Sequence, residues 1–272
     1  MSSSKKERID RLLVSRGLVE TRTKAQALLL AGKVFVGGSR VDKTGSLVPS
    51  DAPLEVRDDG EKWVSRGAHK LLKGLDSFGV SPEDWVCVDI GASTGGFTQV
   101  LLERGARKVY AVDVGYGQLA WSLRNDERVV VMERTNARTL TPELFPEIPG
   151  LVVADASFIS LKLLIPPVRL ILSPEGQAIL LVKPQFEVGK GRVGKGGVVR
   201  SKEDHISVLR DILAFCEESG DFHPAGLAFS PITGPMGNIE YLLHVVRTKG
   251  SGRPLSPEKT VEEAHHFFRK DG

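Results

Sequence analysis

The sequence predicts two domains: a large α/β domain built on a parallel sheet, and a small α+β domain in front of it. From Trp85 onward, short apolar runs alternate with helical stretches, as in strand–helix–strand units. The 272 residues are enough for one medium and one small domain. Residues 1–43 hold ten Lys or Arg and four acids, whereas the rest holds 27 basic and 30 acidic residues. Such a basic start indicates either a polyanionic partner or a solvated surface.

Composition argues against several classes of protein. Apolar residues make up 41% and charged residues 26%, as in ordinary globular chains rather than disordered ones. A membrane span needs about 20 nearly uncharged apolar residues, and the best stretch, 150–172, contains three charges and two prolines. The first ten residues lack the apolar core of a signal peptide, and two cysteines are too few for a disulfide scaffold or a cysteine-rich zinc site. We therefore expect a cytoplasmic protein with no bound metal and no membrane contact, and nothing predicts its oligomeric state.

The small domain is predicted to contain two helices and a hairpin. Residues 8–14 form a short amphipathic helix that ends near Gly17. Thr21 can cap a second helix that runs to Ala31, with its three consecutive leucines, Leu28, Leu29 and Leu30, facing inward. Two short strands, 33–36 and 39–41, are joined by a tight turn at the Gly-Gly pair.

Several cations of this domain are predicted to contact RNA. Arg22 and Lys24 open the second helix beside unpaired backbone N–H groups, which suits phosphate binding. The segment RIDRLLVSRGLVETRTKAQALLLAGKVFVGG resembles the alpha-L RNA-binding module found in a ribosomal protein and in many RNA-modifying enzymes, over about residues 6–55. The expected RNA contacts in this domain are Arg8, Arg11, Arg22, Lys24 and Lys33.

A segment rich in turn formers and charges, 45–60, separates the two domains, and we place the boundary near residues 58–64. Residues 1–60 are the small domain, 61–64 a linker, 65–250 the large domain and 251–272 a tail that ends in a helix at 258–270. The strands predicted in the large domain are 86–90, 108–113, 128–132, 150–154, 177–182 and 240–246.

A glycine-rich loop follows the first of these strands and opens a helix. It reads DIGASTGGF from Asp89 to Phe97, and the second strand ends in Asp113, whose carboxylate can accept both hydroxyls of a ribose. Asp89 would attract the amino group of S-adenosylmethionine (SAM) and repel a pyrophosphate. This favours SAM over a nicotinamide dinucleotide, while a purely structural loop stays an alternative. The expected cofactor contacts are Asp89, Gly91, Ser93, Gly95, Gly96, Phe97, Asp113 and Asp155.

A second glycine cluster, 189–196, nearly matches a phosphate-binding P-loop. Gly196 stands where that motif needs Ser or Thr, so no hydroxyl is available for magnesium. We interpret the segment as a basic loop over the site that contacts an RNA backbone, or else as a solvated loop. Its expected RNA contacts are Lys190, Arg192 and Lys195, together with Arg66 and His69 from the start of the large domain.

Charged residues follow several of the apolar strands. Asp155 closes the fourth strand and Lys183 the fifth, where the carboxyl ends of parallel strands line a ligand crevice. Alternatively, Asp155 caps a helix and Lys183 extends its amine to solvent. Lys70 and Glu240, taken alone, look like surface charges.

Residues 64–246 resemble the FtsJ-like SAM-dependent RNA 2′-O-methyltransferases. That family carries a Lys-Asp-Lys-Glu tetrad at the positions that Lys70, Asp155, Lys183 and Glu240 occupy here. The entire chain resembles the hemolysin-A-type (TlyA) ribosomal RNA methyltransferases, through VSRGAHKL, DIGASTGGFTQVLL, VADASFISL, LVKPQFEVGK and GNIEY. In the loop, Thr94 stands where other FtsJ-like sequences have proline. The resemblance implies a Rossmann-like SAM-dependent methyltransferase fold, SAM as cofactor, and ribosomal RNA or a ribosomal subunit as partner. It also implies four catalytic residues: Lys70, Asp155, Lys183 and Glu240.

The implied reaction is methyl transfer to a ribose 2′-hydroxyl in 16S or 23S ribosomal RNA, or in both. Lys183 would lower the pKa of that hydroxyl or receive its proton, and crowding by Lys70 would favour a neutral Lys183 amine. Asp155 would orient Lys183, and Glu240 would orient Lys70 or the ribose. Two alternatives stay open: a non-catalytic RNA- or ribosome-binding factor, and a membrane-active hemolysin.

Overall fold

The computed structural model describes residues 6–19, 21–30, 32–56, 62–189, 191–248 and 254–269. The chain divides into two compact units, Met1–Lys62 and Trp63–Gly272. Within the described residues, no helix is both long enough and apolar enough to cross a membrane.

The small unit consists of short antiparallel strands and two helices. Its elements are β1 (Lys6–Arg8), α1 (Ile9–Ser15), α2 (Arg22–Leu30), β2 (Val34–Val36), β3 (Ser39–Val41), β4 (Leu47–Pro49) and β5 (Leu54–Val56). Strand β2 pairs with β3 and with β5, and β1 pairs with β4. The inner faces of α1 and α2 share one apolar cluster with β2 and β4, and this cluster includes Ile9, Leu13 and Leu29.

The predicted start of the second helix is confirmed, because the Thr21 hydroxyl accepts a hydrogen bond from the Lys24 N–H at 3.2 Å. Leu28 and Leu29 are buried as predicted. The predicted positions of the Leu30 side chain and of Ala31 lie outside the described residues, as do 57–61 in the interdomain segment and 249–253 in the tail.

The large unit is a seven-stranded sheet with helices on both faces. Its helices are α3 (Ala68–Phe78), α4 (Gly96–Glu103), α5 (Trp121–Arg124), α6 (Ile165–Ile171), α7 (Pro184–Glu187), α8 (Lys202–Glu218) and α9 (Pro257–Arg269). Its strands are β6 (Val86–Ile90), β7 (Lys108–Val112), β8 (Val129–Met132), β9 (Leu151–Ala154), β10 (Gln177–Val182), β11 (His223–Phe229) and β12 (Tyr241–Val246).

The order of strands across this sheet is β11-β12-β10-β9-β6-β7-β8. The expectation of an all-parallel sheet was wrong at one edge, because β12 runs antiparallel to both β10 and β11. Strand β11 was not predicted, since its sequence, HPAGLAF, contains a proline and a glycine and is mostly half-buried. The other five strands are parallel, as expected.

Alternating residues of the central strands feed two apolar cores, one on each face of the sheet. Val88 and Ile90 of β6 belong to the core covered by α6, α8 and α9, whereas Cys87 belongs to the core covered by α3 and α4. Strands buried on both faces need nearly continuous apolar sequence, as β6, β9 and β10 have. Polar residues are therefore displaced to the strand ends, and the carboxyl ends of the parallel strands carry the candidate site.

Candidate active site

A cavity of about 840 Å³ opens at the carboxyl edge of the large sheet. It brings together the four predicted catalytic residues, part of the glycine loop and one predicted RNA contact. These predicted residues are Lys70, Asp155, Lys183, Glu240, Gly91, Ser93, Gly96, Phe97 and Arg66. Asp89, Gly95, Asp113 and His69 are not among the residues that line it.

The glycine loop is shaped by close contacts with its neighbours. Gly91 has a φ of 79°, and a Cβ there would lie 2.9 Å from the carbonyl oxygen of Asp155, so a larger residue would push the loop away from β9. Ser93 also has a positive φ, 49°, and its N–H donates to Asp113 Oδ2 at 2.8 Å. Asp113 Oδ1 accepts the N–H of Gly115 at 2.7 Å. Asp113 therefore fixes the backbone of the loop.

Asp89 lies beneath the loop and is fully buried. Its Oδ2 accepts a hydrogen bond from the Thr98 hydroxyl at 2.7 Å, while within the described residues no hydrogen bond reaches Oδ1. Burial raises the pKa of Asp89 to about 7, although the hydrogen bonds from Thr98 act in the opposite direction. A cation placed nearby would favour the charged form of the Asp89 carboxylate. The expected contact between Asp89 and an amino group stays a prediction.

The predicted catalytic residues form a chain of ion pairs centred on Asp155. Its Oδ1 lies 2.6 Å from Lys183 Nζ and its Oδ2 lies 3.1 Å from Lys70 Nζ. Lys70 Nζ also lies 2.7 Å from Glu240 Oε2. Both lysine side chains are more than nine-tenths buried, so neither extends its amine to bulk solvent.

The charge on Lys70 is held by its two carboxylate neighbours. Burial opposes the ammonium form, but Asp155 and Glu240 outweigh it and raise the pKa of Lys70 above its ordinary value. The expected crowding of Lys183 by Lys70 stays a prediction; in the structure the two amines bind different oxygens of the Asp155 carboxylate.

Local sequence explains how these side chains reach one place. Lys183 is the first residue after β10, and Pro184 then starts α7, so the chain turns directly behind the lysine. Asp155 follows β9, and its N–H still donates to the carbonyl of Ile90 in β6. Glu240 precedes β12, whose antiparallel direction brings its first residue beside Val182 at the same edge.

The sequence reasoning missed several residues of the cavity. The Ser157 hydroxyl accepts a hydrogen bond from Lys183 Nζ at 2.8 Å. Phe158 is 91% exposed despite its size, has a φ of 63°, and its ring centroid lies 5.2 Å from that of Phe186. Gln185 and Asn238 also line the cavity. All four lie within four residues of the end of β9, the end of β10 or the start of β12, and this placement was the signal available in the sequence.

The RNA contacts predicted in the large unit have different surroundings. Arg66 and His69 are exposed, and Arg66 donates to the carbonyl of Thr233 at 3.3 Å. Arg192 is bound to Asp204 at 3.2 Å and to the carbonyl of Val188, whereas Lys195 is exposed. The predicted contact at Lys190 lies outside the described residues.

In the small unit, two of the predicted RNA contacts bind a buried acid. Asp10 is fully buried; Arg8 donates to both its oxygens at 3.0 Å and Arg22 donates through Nε at 2.9 Å. The sequence suggested that Arg22 is free to bind phosphate at the start of α2. In the structure it is paired with Asp10, although its side chain is 48% exposed. Arg11 and Lys24 are exposed, and Lys33 is half-buried.

Comparison with known proteins agrees with this architecture. Residues 63–247 match the FtsJ-like methyltransferase family and residues 7–52 match the S4 domain. The chain is 50% identical over 274 residues to a putative rRNA methyltransferase, YqxC, of Bacillus subtilis, with 98% of this chain and 97% of that protein covered. It is 49% identical over 270 residues to the 16S/23S rRNA (cytidine-2′-O)-methyltransferase TlyA of Mycobacterium tuberculosis, with 99% of each covered.

A solved structure, a putative hemolysin from Streptococcus thermophilus, matches with a TM-score of 0.77 at 43% identity and covers 99% of both chains. The glycine loop, the sheet with one reversed strand and the two-lysine cavity therefore occur in a chain that belongs to the FtsJ-like methyltransferase family and carries an S4 domain at its N-terminus.

Proposed function

We propose that this protein transfers a methyl group from SAM to a ribose 2′-hydroxyl of ribosomal RNA, in the cytoplasm. The observation that carries this proposal is the Lys70–Asp155–Lys183 ion-pair chain in a cavity shared with the glycine loop. The relative from Mycobacterium tuberculosis, 49% identical in sequence, bears a name that specifies cytidine in 16S and 23S rRNA. We propose that cytidine is also the nucleoside methylated here.

The residues around the cavity fit SAM. Asp89 is buried at the end of β6, just before the glycine loop, and within the described residues no hydrogen bond reaches its Oδ1, which suits a cationic amino group. Asp113, next to the loop, is proposed to bind the ribose hydroxyls. A pyrophosphate placed at this loop would instead be repelled by the carboxylate of Asp89. This repulsion favours SAM over a dinucleotide.

SAM, when bound, supplies a methyl group that its sulfonium already activates. The protein must then align the hydroxyl with that methyl and help its proton to leave. Two contacts of the Lys183 amine go to Asp155 and Ser157, and an ammonium has three donors. The third direction is proposed to face the 2′-oxygen, where Lys183 either stabilises the developing negative charge or, as an amine, accepts the proton.

The other tetrad members are proposed to keep Lys183 in position. Asp155 holds the Lys183 amine through Oδ1, and Lys70 fixes the second oxygen of the same carboxylate. Glu240, nearly fully buried, compensates the charge of Lys70. RNA affinity is proposed to come mainly from the basic S4 domain, residues 1–60, through phosphate contacts.

The direct test is to identify the methylated product. Wild-type protein is incubated with ribosomal subunits and SAM that carries a labelled methyl, and the RNA is then digested and analysed by nucleoside mass spectrometry. We expect label in 2′-O-methylcytidine, and far less of it in a parallel incubation with Lys183→Met as the matched control. Label on a base would contradict the proposal. RNA binding without any transfer would favour a non-catalytic ribosome-binding factor.

A further inference from the structure

One wall of the cavity is held by two buried side chains that come from other parts of the large unit. Val193, Gly196 and Gly197 line the cavity, and Val199, just beyond them, is buried. Asn238 is only 2% exposed; its Oδ1 accepts the N–H of Val199 at 3.0 Å and its Nδ2 donates to the carbonyl of Gly197 at 2.9 Å. A single amide thus joins two points of this wall.

His205, in α8, holds the same residue from the other side. Its ring is fully buried, and Nε2 lies 3.0 Å from the carbonyl oxygen of Val199. A carbonyl only accepts, so Nε2 carries the proton, and Nδ1 then accepts from the Tyr241 hydroxyl at 2.6 Å, the nearer of its two neighbours, since His265 Nε2 lies at 3.3 Å. Buried backbone groups need partners, and both polar groups of Val199 find theirs in side chains.

These anchors flank a residue of the tetrad. Asn238 and Tyr241 stand on either side of Glu240 in the sequence, and Glu240 pairs with Lys70. The carbonyl of Asn238 accepts the N–H of Gly234 at 2.9 Å. A Cβ at Gly234 would lie 2.6 Å from Glu240 Oε1. The turn that this hydrogen bond closes, 234–238, therefore also packs against the Glu240 carboxylate.

We propose that Asn238 and His205 are positioning residues, which fix residues 197–199 against the start of β12 and so hold the glycine-rich wall and Glu240 in register for methyl transfer. We call the hydrogen bonds from Asn238 and His205 to Gly197 and Val199 the clamp. Its effect on rate rests on the proposed function, but the clamp itself is a property of the fold. Burial lowers the pKa of His205 to about 4, so the ring stays neutral and keeps both hydrogen bonds at neutral pH.

Three variants separate the clamp from general stability. Asn238→Ala removes both contacts of the amide. His205→Asn and His205→Gln differ in reach: a glutamine amide extends about as far as ring Nε2 and can donate to Val199, whereas an asparagine amide reaches only as far as Nδ1. The matched control is His244→Asn, because His244 is also buried, with Nε2 bound to Gln177 at 2.6 Å, but packs against Phe78 on the opposite face of the sheet from Tyr241.

The experiment combines hydrogen exchange, read by mass spectrometry on peptides covering 191–199, with single-turnover methyl transfer at saturating SAM and ribosomal subunits. Asn238→Ala and His205→Asn should speed exchange in this segment, with little change in peptides from β10, because the backbone groups of Val199 lose their partners. The transfer rate should fall about tenfold or more, since small misplacements are costly in catalysis. His205→Gln and His244→Asn should stay close to wild type in both readouts.

Unchanged exchange in Asn238→Ala and His205→Asn would overturn the clamp, and faster exchange at a wild-type transfer rate would overturn its positioning role. If Asn238→Ala does not fold, the contrast between His205→Asn and His205→Gln decides alone. Exchange does not depend on activity. A wild-type protein without methyl transfer would therefore reject the proposed function and, with it, the positioning role, while the exchange contrast would still decide whether the clamp exists.

Discussion

Each unit of this protein contains a carboxylate that bridges two cations, and the two bridges differ in chemistry. In the small unit, the fully buried Asp10 binds Arg8 and Arg22, whose side chains are 39% and 48% exposed. In the large unit, Asp155 is 19% exposed and binds Lys70 and Lys183, which are buried. One bridge turns its cations toward solvent, and the other turns them into a cavity.

The difference matches what each cation can do. An arginine stays protonated in proteins and presents several donors in a fixed plane, which suits phosphate contacts on a surface. A lysine can gain or lose a proton when its surroundings change, which suits proton transfer at a reacting hydroxyl. We therefore expect changes at the Asp155 bridge to alter rate and changes at the small unit to alter RNA affinity.

The largest expected effect is on chemistry at the Asp155 bridge. Lys183→Met removes the amine that is proposed to face the substrate oxygen and keeps a side chain of similar length. The transfer rate should fall by about 10²–10⁴-fold, the usual contribution of a general acid or base. SAM affinity, measured by calorimetry on the same preparation, should change only a few-fold. Rapid turnover by the variant would remove Lys183 from the mechanism.

The next effect is on stability. Lys70→Met leaves the carboxylate of Glu240 buried without its cation, and breaking a buried pair costs about 3–5 kcal/mol. The unfolding free energy of the large unit, followed by denaturant titration, should fall by roughly that amount. Adding Glu240→Gln to Lys70→Met should recover part of the loss, because the orphaned charge is gone. An additive double variant would show that the two residues are not coupled.

A smaller effect is expected on RNA affinity in the small unit. Lys24→Ala removes an exposed cation at the start of α2 and should flatten the salt dependence of RNA binding by about 0.7–0.9 for one lost phosphate contact. Arg22→Ala should weaken RNA binding too, but it also removes a partner of the buried Asp10. Comparing the two separates phosphate binding from local folding. An unchanged salt slope in Lys24→Ala would exclude that residue from the RNA contact.

The strand positions could be predicted because buried strands need continuous apolar runs, whereas the reversal of β12 could not, since an apolar run carries no direction. The edge strand β11 escaped notice because its half-buried residues include Pro224 and Gly226. Lys183 and Asp155 were visible as polar residues at strand ends. Lys70 and Glu240 became candidates only through the family resemblance, because their burial arises from tertiary packing.

The Asp10 bridge was missed for the same reason. An acid at the start of a short helix, among many cations, looks like an exposed charge in the sequence. Only the fold buries it and brings Arg22 and Gln26 from α2 onto its Oδ2. The hydrogen bonds of Asn238 and His205 could not be predicted from the sequence either. They join residues 36 to 41 positions apart or end on backbone atoms.

The smallest expected effect is a pH dependence of the small unit. Hydrogen bonds from Arg8 lower the pKa of Asp10 well below its ordinary value, burial opposes them, and Arg22 and Gln26 add to the lowering. A lowered folded-state pKa means that the stabilisation is complete above the unfolded pKa of about 4 and is lost as the pH falls below it. Denaturant titrations between pH 6 and pH 3 should reveal this loss in wild type. Asp10→Asn should be less stable at pH 6 and less sensitive to acid, and equal acid sensitivity in both proteins would contradict the assignment.

The most direct test of the division between the two bridges is one single-turnover titration. Methyl transfer is measured at increasing concentrations of ribosomal subunits for wild type, Lys183→Met and Lys24→Ala, which yields a maximal rate and a half-saturating concentration for each protein. Direct binding of labelled subunits supplies the affinity of Lys183→Met if its rate is too low to titrate. We predict that Lys183→Met loses the maximal rate and keeps wild-type affinity, and that Lys24→Ala keeps the maximal rate and needs more RNA. A normal maximal rate in Lys183→Met, or a reduced maximal rate at unchanged affinity in Lys24→Ala, would contradict the account.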